Sequence, residues 1–253
     1  MKYFLFFLLI TLSVIGQEKP TDQELIEKLD RTFLIKEGLT KGRLYIKKGN
    51  HESHSWNVSI FKEGEDILYI FTVTHFKPVA KLLSIKRGQK LIYSNVLSGK
   101  IFQIEQLQRL ENILGTSFSY IDLSNYQYES NYKPFKPENS EKENQEKDRL
   151  SIHMIPISHY LYKDIEIDMA NTDYSLRKLT FTSPNGIIEK TLKVKYGKIK
   201  QIDGKAKSEI IDLKFIEITN NATSEISILE FQEWYKDTKP DKIFYEMKSL
   251  YEK

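Results

Sequence analysis

The sequence predicts a mainly β protein built on an antiparallel sheet of about eleven strands. Three observations predict it. From Leu179 to Phe231 apolar and polar residues alternate, with Leu192, Val194 and Tyr196 set against Thr191, Lys193 and Lys195, then Ile211, Leu213 and Phe215 against Asp212 and Lys214. Period two gives a strand one apolar and one wet face. Turn-forming residues punctuate these runs at Pro184-Asn185-Gly186, Asp203-Gly204 and Asn220-Asn221, and such residues accept the positive φ that tight hairpins require. The same alternation recurs far upstream, where Trp56, Val58 and Ile60 face away from Ser55, Asn57 and Ser59.

Length and composition bound the chain. Its 253 residues, 40% hydrophobic and 12% aromatic, suffice for one substantial core. Lys2 followed by the apolar run Tyr3 to Ile15, ending in Val14-Ile15-Gly16, has the three-part form of a secretory signal peptide and is shorter than the roughly 20 residues of a spanning helix. Cleavage is expected after Gly16, leaving residues 17–253 as a single β domain in a periplasm. With no cysteine there can be no disulfide framework, thiolate nucleophile or lipidated N-terminal cysteine. Beyond residue 16, 37 basic and 35 acidic side chains leave a formal charge of +2, a balance that does not suggest a nucleic-acid binder.

Taken in order, Thr21 and Glu24 form a capping box, and Leu25, Leu29 and Phe33 place an apolar stripe on a helix ending near Gly38. Strands are predicted at residues 42–48, 55–62, 66–74, 81–86 and 90–94, with Gly64 and Arg87-Gly88 as turns. The third, Ile67-Leu68-Tyr69-Ile70-Phe71, is apolar on both sides and needs outside cover, for which the Thr21 helix is the nearest candidate. From Gln103 to Leu114 the period becomes helical, with Ile104, Leu107, Leu110 and Leu114 on one stripe and Gly115 as C-cap. Ser117 to Ser124 offers a short second helix. The run Lys133 to Arg149, almost without apolar residues, reads as a mobile polar surface loop inserted in the domain. Strands resume at residues 150–157 and 164–169, where Ile165, Ile167 and Met169 oppose Asp164, Glu166 and Asp168, and the four-strand meander follows. Ile243, Phe244, Met247 and Leu250 mark a last helical stripe.

Catalytic chemistry is missing. His51-Glu52-Ser53-His54 places its histidines at i and i+3 beside a Gly-Asn turn, whereas a helical zinc pair needs i and i+4. His75, His153 and His159 are scattered among strands and read as surface or hydrogen-bonded residues. No nucleophile elbow, phosphate-cradling glycine loop or glycosidase-like carboxylate pair is present. The reading is therefore non-enzymatic, with no cofactor and no metal. What remains is an excess of apolar side chains on sheet faces together with amphipathic pieces able to cover one of them. A curved sheet under a helical lid encloses a cavity suited to acyl chains; the alternative is that the same residues simply pack a closed core.

The order of elements, the Gly-x-x-Phe-Ser-Tyr-x-Asp-Leu pattern at Gly115 to Leu123, the run from Lys190-Thr191-Leu192 to Asp203-Gly204-Lys205, and the closing Pro240-Asp241-Lys242-Ile243-Phe244 together resemble the LolA-like outer-membrane lipoprotein-sorting family. The resemblance spans nearly all of the chain after residue 16. It implies a half-open antiparallel barrel, LolA/LolB-like, with helices covering the concave face, and a carrier or chaperone that takes lipoprotein acyl chains or free lipid through the periplasm from a membrane-bound donor to an acceptor, as a monomer. On that reading the apolar cavity is lined by Trp56, Val58, Ile60, Tyr69, Phe71, Leu192, Val194, Tyr196, Ile211, Leu213 and Phe215, beneath a lid of Ile104, Leu107, Leu110, Leu114 and Phe118. Two features depart from the family. Lys90 to Asn95 keeps Tyr93 but lacks the Trp and Pro of the family's Trp-x-Tyr-x-Pro stretch, and no counterpart of the lid-holding Arg-Pro element is found. Two other functions fit the same features: a lipid- or lipoprotein-sensing module that signals through protein contact, and a plain extracytoplasmic structural or adhesion domain.

Overall fold

The structure, a computed structural model, describes residues 19–73, 77–124, 127–136, 148–158, 162–240 and 242–249. The expected signal peptide, His75, His159, Leu250 and residues 137–147 of the expected loop lie outside them. The Thr21 capping box forms as the sequence dictates, with Thr21 Oγ1 accepting from the Glu24 N–H at 3.2 Å and Glu24 accepting from the Thr21 N–H at 2.7 Å. It opens helix α1, Asp22–Thr32, which stops short of Gly38. Residues 33–37 are not helical, and Gly38 already begins the first strand.

Thirteen strands follow in one sheet, with antiparallel neighbours throughout apart from one short parallel pairing. The first six are β1 (Gly38–Lys48), β2 (His51–Glu63), β3 (Asp66–Thr72), β4 (Pro78–Ile85), β5 (Lys90–Asn95) and β6 (Lys100–Gln103). The remainder are β7 (Tyr132–Phe135), β8 (Arg149–Pro156), β9 (Asp164–Ala170), β10 (Leu176–Thr182), β11 (Ile188–Asp203), β12 (Ala206–Asn220) and β13 (Glu225–Tyr235). The two strands beyond the predicted eleven, β6 and β7, are four-residue edge strands, too short to show a period. β7 takes three of its four residues from the expected loop, and its Pro134 is tolerated because an edge strand pairs on one side only.

The sheet runs β6-β5-β4-β3-β2-β1-β13-β12-β11-β10-β9-β8-β7, so β6 and β7 are free edges and the sheet is not closed. Every strand except β6 sends side chains into one continuous core, so the sheet wraps around its own inner face. At the seam between β1 and β13 a bulge between Lys41 and Gly42 sharpens the bend. A Cβ on Gly42 would lie 2.0 Å from the Glu230 carbonyl oxygen, which is why glycine stands there. A second fold-back involves the long β11–β12 hairpin. β12 leaves β13 after the Phe215–Glu230 pair, and β11 returns to β13 with its other edge, pairing Lys200–Ile202 in parallel with Glu233–Tyr235.

β3 is buried on both faces, as its composition predicts. Ile67, Tyr69 and Phe71 enter the inner core. Leu68, with Leu83, Ile85 and Ile92, forms an outer cluster closed by Phe244 and Met247 of helix α2, Lys242–Ser249. The outer cover is therefore the C-terminal helix. α1 lies inside, its Leu25, Ile26 and Leu29 within the main core.

The predicted helix over Gln103 to Leu114 does not form. Only short 3-10 turns are present, at Gln106–Leu110 and Ile113–Gly115, with Leu114 and Gly115 at positive φ of 54° and 70°. Nor is Ser117 to Ser124 helical. Asn112 instead bridges Ser119 across an antiparallel backbone pair. The Thr116, Ser119 and Ser124 side chains hydrogen-bond nearby backbone groups or Asp122, offering the chain partners that compete with a helix.

Candidate functional site

The inner face of the wrapped sheet, with the segment that covers it, is the candidate site. Val58, Ile60, Ile67, Tyr69, Phe71, Leu82 and Leu91 on one half and Met154, Ile165, Ile167, Leu179, Leu192 and Ile218 on the other face one another across the core. Residues 104–124 run between the halves as an irregular cover that drives Ile104, Ile113, Phe118, Tyr120 and Leu123 into that core. Residues 33–36 reach the same space, with Phe33 and Ile35 packed against it.

Polar bonds hold the cover from several sides. Arg109 donates to the carbonyls of Gly88 and Gln89, both at 2.8 Å, tying the cover to the β4–β5 turn. The Ser117 N–H donates to Ser227 Oγ at 2.8 Å on β13, and Ser84 Oγ donates to the Ser124 carbonyl at 2.6 Å. The strongest tether is an ion pair: Lys190 Nζ on β11 lies 2.6 and 2.7 Å from the two oxygens of Asp122, with side-chain exposures of only 9% and 3%. Asp122 also accepts from the Ser119 N–H and hydroxyl, and the ammonium faces the rings of Tyr162 and Phe181 at 5.3 and 4.9 Å. Burial, followed by the nearby Asp122 charge, holds the Tyr128 and Tyr162 hydroxyls well above the usual phenol range. Burial likewise pushes Tyr120 up to about 12. Near the end of α1, Asp30 is pushed up to about 6 by burial, although it accepts from the N–H groups of Tyr128 and Glu129.

Among the described residues, two of the small cavities adjoin the apolar core. One, of about 40 Å³, lies where the β11–β12 hairpin folds back and is lined by Phe33, Ile35, Ile199, Leu213, Phe231 and Trp234. The other, of about 30 Å³, lies at the centre beside Tyr69, Leu123, Tyr128, Leu192 and Ile216, and shares Phe33, Ile35 and Phe231 with the first. Sites for drug-sized ligands run to roughly 300–1,000 Å³, so each of these two cavities is too small to hold one. A larger hollow of about 350 Å³ lies outside the core and is polar, lined by Glu27, Asp30, Arg31, Arg87 and Glu129 among others.

Of the cavity residues expected from sequence, Trp56, Val58, Ile60, Tyr69, Phe71, Leu192, Val194 and Leu213 lie in the core. Three do not. Tyr196 is 43% and Ile211 71% exposed, and Phe215 is half-buried beneath Lys214. Between Lys195 and Tyr196 the register skips Lys214 on β12, so Phe215 and Leu213 turn to opposite faces, while Tyr196 and Ile211 lie where the β11–β12 hairpin has run past the last antiparallel β12–β13 pair, Phe215–Glu230. Of the lid residues, Ile104 and Phe118 are buried and Leu110 and Leu114 pack at the margin. Leu107 is 87% exposed, because the helix that would have turned it inward is absent. Sequence reasoning missed Ile113, Tyr120 and Leu123, and also the Lys190–Asp122 tether. Leu123 and Asp122 were visible as part of the Phe-Ser-Tyr-x-Asp-Leu pattern; their partner, 68 residues away, was not.

Among the described residues no group of three or more His, Asp or Glu side chains is placed to hold a metal ion. His51 and His54 sit on β2 with exposed side chains, paired with Lys48 and Ile46 of β1 on either side of a bulge at Ser53. His153 meets Asp164 at 3.1 Å. No helix among the described residues is long and apolar enough to cross a membrane.

No family profile and no curated protein matches the sequence. Solved structures do match its shape. A domain described as an outer membrane lipoprotein-sorting protein, from Vibrio parahaemolyticus, superposes with a TM-score of 0.67 at 15% identity, over 90% of this chain and 97% of that one. A DUF1329 family protein from Desulfovibrio piger gives 0.66 at 12% identity, over 90% and 97%. A LolA superfamily protein from Nitrosomonas europaea gives 0.65 at 16% identity, over 89% and 98%. The chain therefore has a LolA-like fold: a large, open antiparallel sheet wrapped around covered apolar side chains.

Proposed function

We propose that the protein is a non-catalytic periplasmic carrier that binds the acyl chains of lipoproteins, or free lipid, on the inner face of its sheet and delivers them toward the outer membrane. The supporting observation is the way the core is closed. The apolar face of a sheet is normally covered by regular secondary structure whose backbone groups pair internally. Here a stretch of irregular chain lies over an apolar concave sheet and is held by side-chain tethers at Arg109, Ser117, Asp122 and Ser124. Such a cover can lift without breaking a strand ladder, and lifting it exposes a continuous apolar floor from Leu82 to Ile167. Each apolar Å² that a ligand covers there gains roughly 25 cal/mol, so a chain half enclosed gains several kcal/mol without polar recognition. The fold shared with lipoprotein-sorting structures points the same way.

Export by the N-terminal segment and the lack of any cysteine to lipidate are consistent with a carrier free to move between a donor and an acceptor. Native mass spectrometry of the protein purified from its own compartment tests the reading, together with uptake of a fluorescent fatty acid. The expected result is a co-purifying lipid mass and saturable uptake that is competed by unlabelled fatty acid. A protein that arrives empty and takes up nothing is a packed structural domain.

A further inference from the structure

In an antiparallel sheet alternate turns share one end. The strand order places residues 49–50, 73, 77, 96–99, 157–158, 162–163, 183–187 and 221–224, which follow or precede paired strands, together along one rim. Apolar side chains project from that rim: Val73 is 54% exposed, Val96 36%, Leu97 80%, Ile157 59% and Ile187 61%. The opposite turns, at residues 64–65, 86–89, 171–175 and 204–205, expose no large hydrophobic side chain.

Exposed Lys48, Lys77, Lys100 and Lys163 stand in or beside the apolar turns. The acids at this end are mostly engaged: Glu52 with Arg43 at 2.6 Å, Asp164 with His153 at 3.1 Å, and Glu225 accepting from Ser117 Oγ at 3.1 Å. Glu189 is the exposed exception. On the β3 to β6 side of the rim the described residues in or beside the turns include Lys77 and Lys100 and no Asp or Glu.

We infer that this rim docks on the surface of a lipid bilayer containing anionic phospholipid, with the turn tips in the headgroup boundary and the lysines on the phosphates. The spacing favours a membrane over a protein partner. Neighbouring strands lie about 4.8 Å apart, so successive turns on one rim are separated by roughly twice that distance. Single apolar tips with lysines between them suit a soft interface, whereas a protein hot spot needs a contiguous, desolvated centre. Docked in this way, the strands stand on the membrane and the inner face opens along its normal. The inference goes beyond the carrier reading and does not depend on acyl binding.

Sedimentation with phosphatidylcholine vesicles, with and without phosphatidylglycerol, tests it on the full-length chain. Two variants accompany the wild type: a tip variant, Val73→Ser/Leu97→Ser/Ile187→Ser, and a charge variant, Lys48→Glu/Lys100→Glu. All share one N-terminus, so differences between them report the rim. Unchanged melting curves are expected because every altered side chain is exposed. The wild type should bind the anionic vesicles at least tenfold more tightly than the neutral ones, with binding weakened by salt. A lysine near an anionic surface is worth roughly fivefold in binding, so the charge variant should lose about 25-fold or more, and the tip variant at least tenfold. Equal binding of wild type and variants, or no preference for anionic vesicles, overturns the proposal. Fatty-acid uptake in vesicle-free solution should be the same in all three proteins, which keeps a failure here separate from a failure of the carrier reading.

Discussion

Substituting Lys190 by Met removes the cation of the Lys190–Asp122 pair while keeping most of its volume. The pair is almost wholly buried, and among the described residues Asp122 would then retain the Ser119 N–H and hydroxyl as donors, at 2.8 and 2.7 Å. Removing one partner of a buried pair typically costs about 3–5 kcal/mol, because a charge is left uncompensated. The two remaining donors place Lys190→Met at the lower end, about 3 kcal/mol. Asp122→Asn strands the ammonium instead, but the Tyr162 and Phe181 rings soften its loss, and about 2 kcal/mol is expected. The double variant Lys190→Met/Asp122→Asn has no buried charge, so its cost should fall short of the sum of the two single costs by about 2 kcal/mol. Urea unfolding of the four proteins at neutral pH measures this coupling. The same weakening should speed fatty-acid uptake in both single variants, since the tether joins the cover to β11. A coupling below about 0.5 kcal/mol would show that the pair is effectively solvated and that the cover is anchored elsewhere.

Other perturbations separate core from surface. Leu107→Ser should change stability by less than about 0.5 kcal/mol, because the side chain is 87% exposed, whereas Phe118→Ala, in a residue 1% exposed, should cost about 3–5 kcal/mol by chemical denaturation; the reverse ranking would restore the helical lid. Phe244→Ala should cost a similar amount by uncovering Leu68, Leu83 and Ile92, and hydrogen exchange should show the loss of protection centred on β3 to β5 rather than on α1. Asp30 has a folded pKa of about 6 against an ordinary 3.8, raised chiefly by burial. The folded state therefore holds more proton than the unfolded chain between those values, and the contribution of Asp30 to stability falls as pH rises from about 4 to 6, by at most about 3 kcal/mol. Melting temperatures of the wild type and Asp30→Asn across that window check the sign: the difference between them should narrow or reverse as pH rises, and a constant difference excludes a raised pKa.

Most of the strands were legible in the sequence because a strand's period is local. The alternations at Trp56-Val58-Ile60, Ile165-Ile167-Met169 and Leu192-Val194 each name a buried face, and the bonds within the Thr21–Glu24 capping box span only three residues. The missing cysteine and the double-sided apolar character of β3 were equally local facts. Tertiary structure decided the rest. An amphipathic stripe states that a face is buried, but not against which surface, so α1 and α2 could exchange roles on paper. Their places were set by which side of β3 each helix reaches. The period over Ile104 to Leu114 is helical, yet the backbone there pairs Asn112 with Ser119, and its neighbour Asp122 bonds to Lys190, 68 residues away. Those bonds outweigh a helix propensity worth at most tenths of a kcal/mol per residue. Phe215 fell outside the core because a bulge at Lys214 shifts the register of β12, and a period of two has no memory of a skipped residue. The apolar, basic rim required strand order as well: Val73, Leu97 and Ile187 are scattered along the chain, and only a continuous antiparallel sheet brings their turns to the same end.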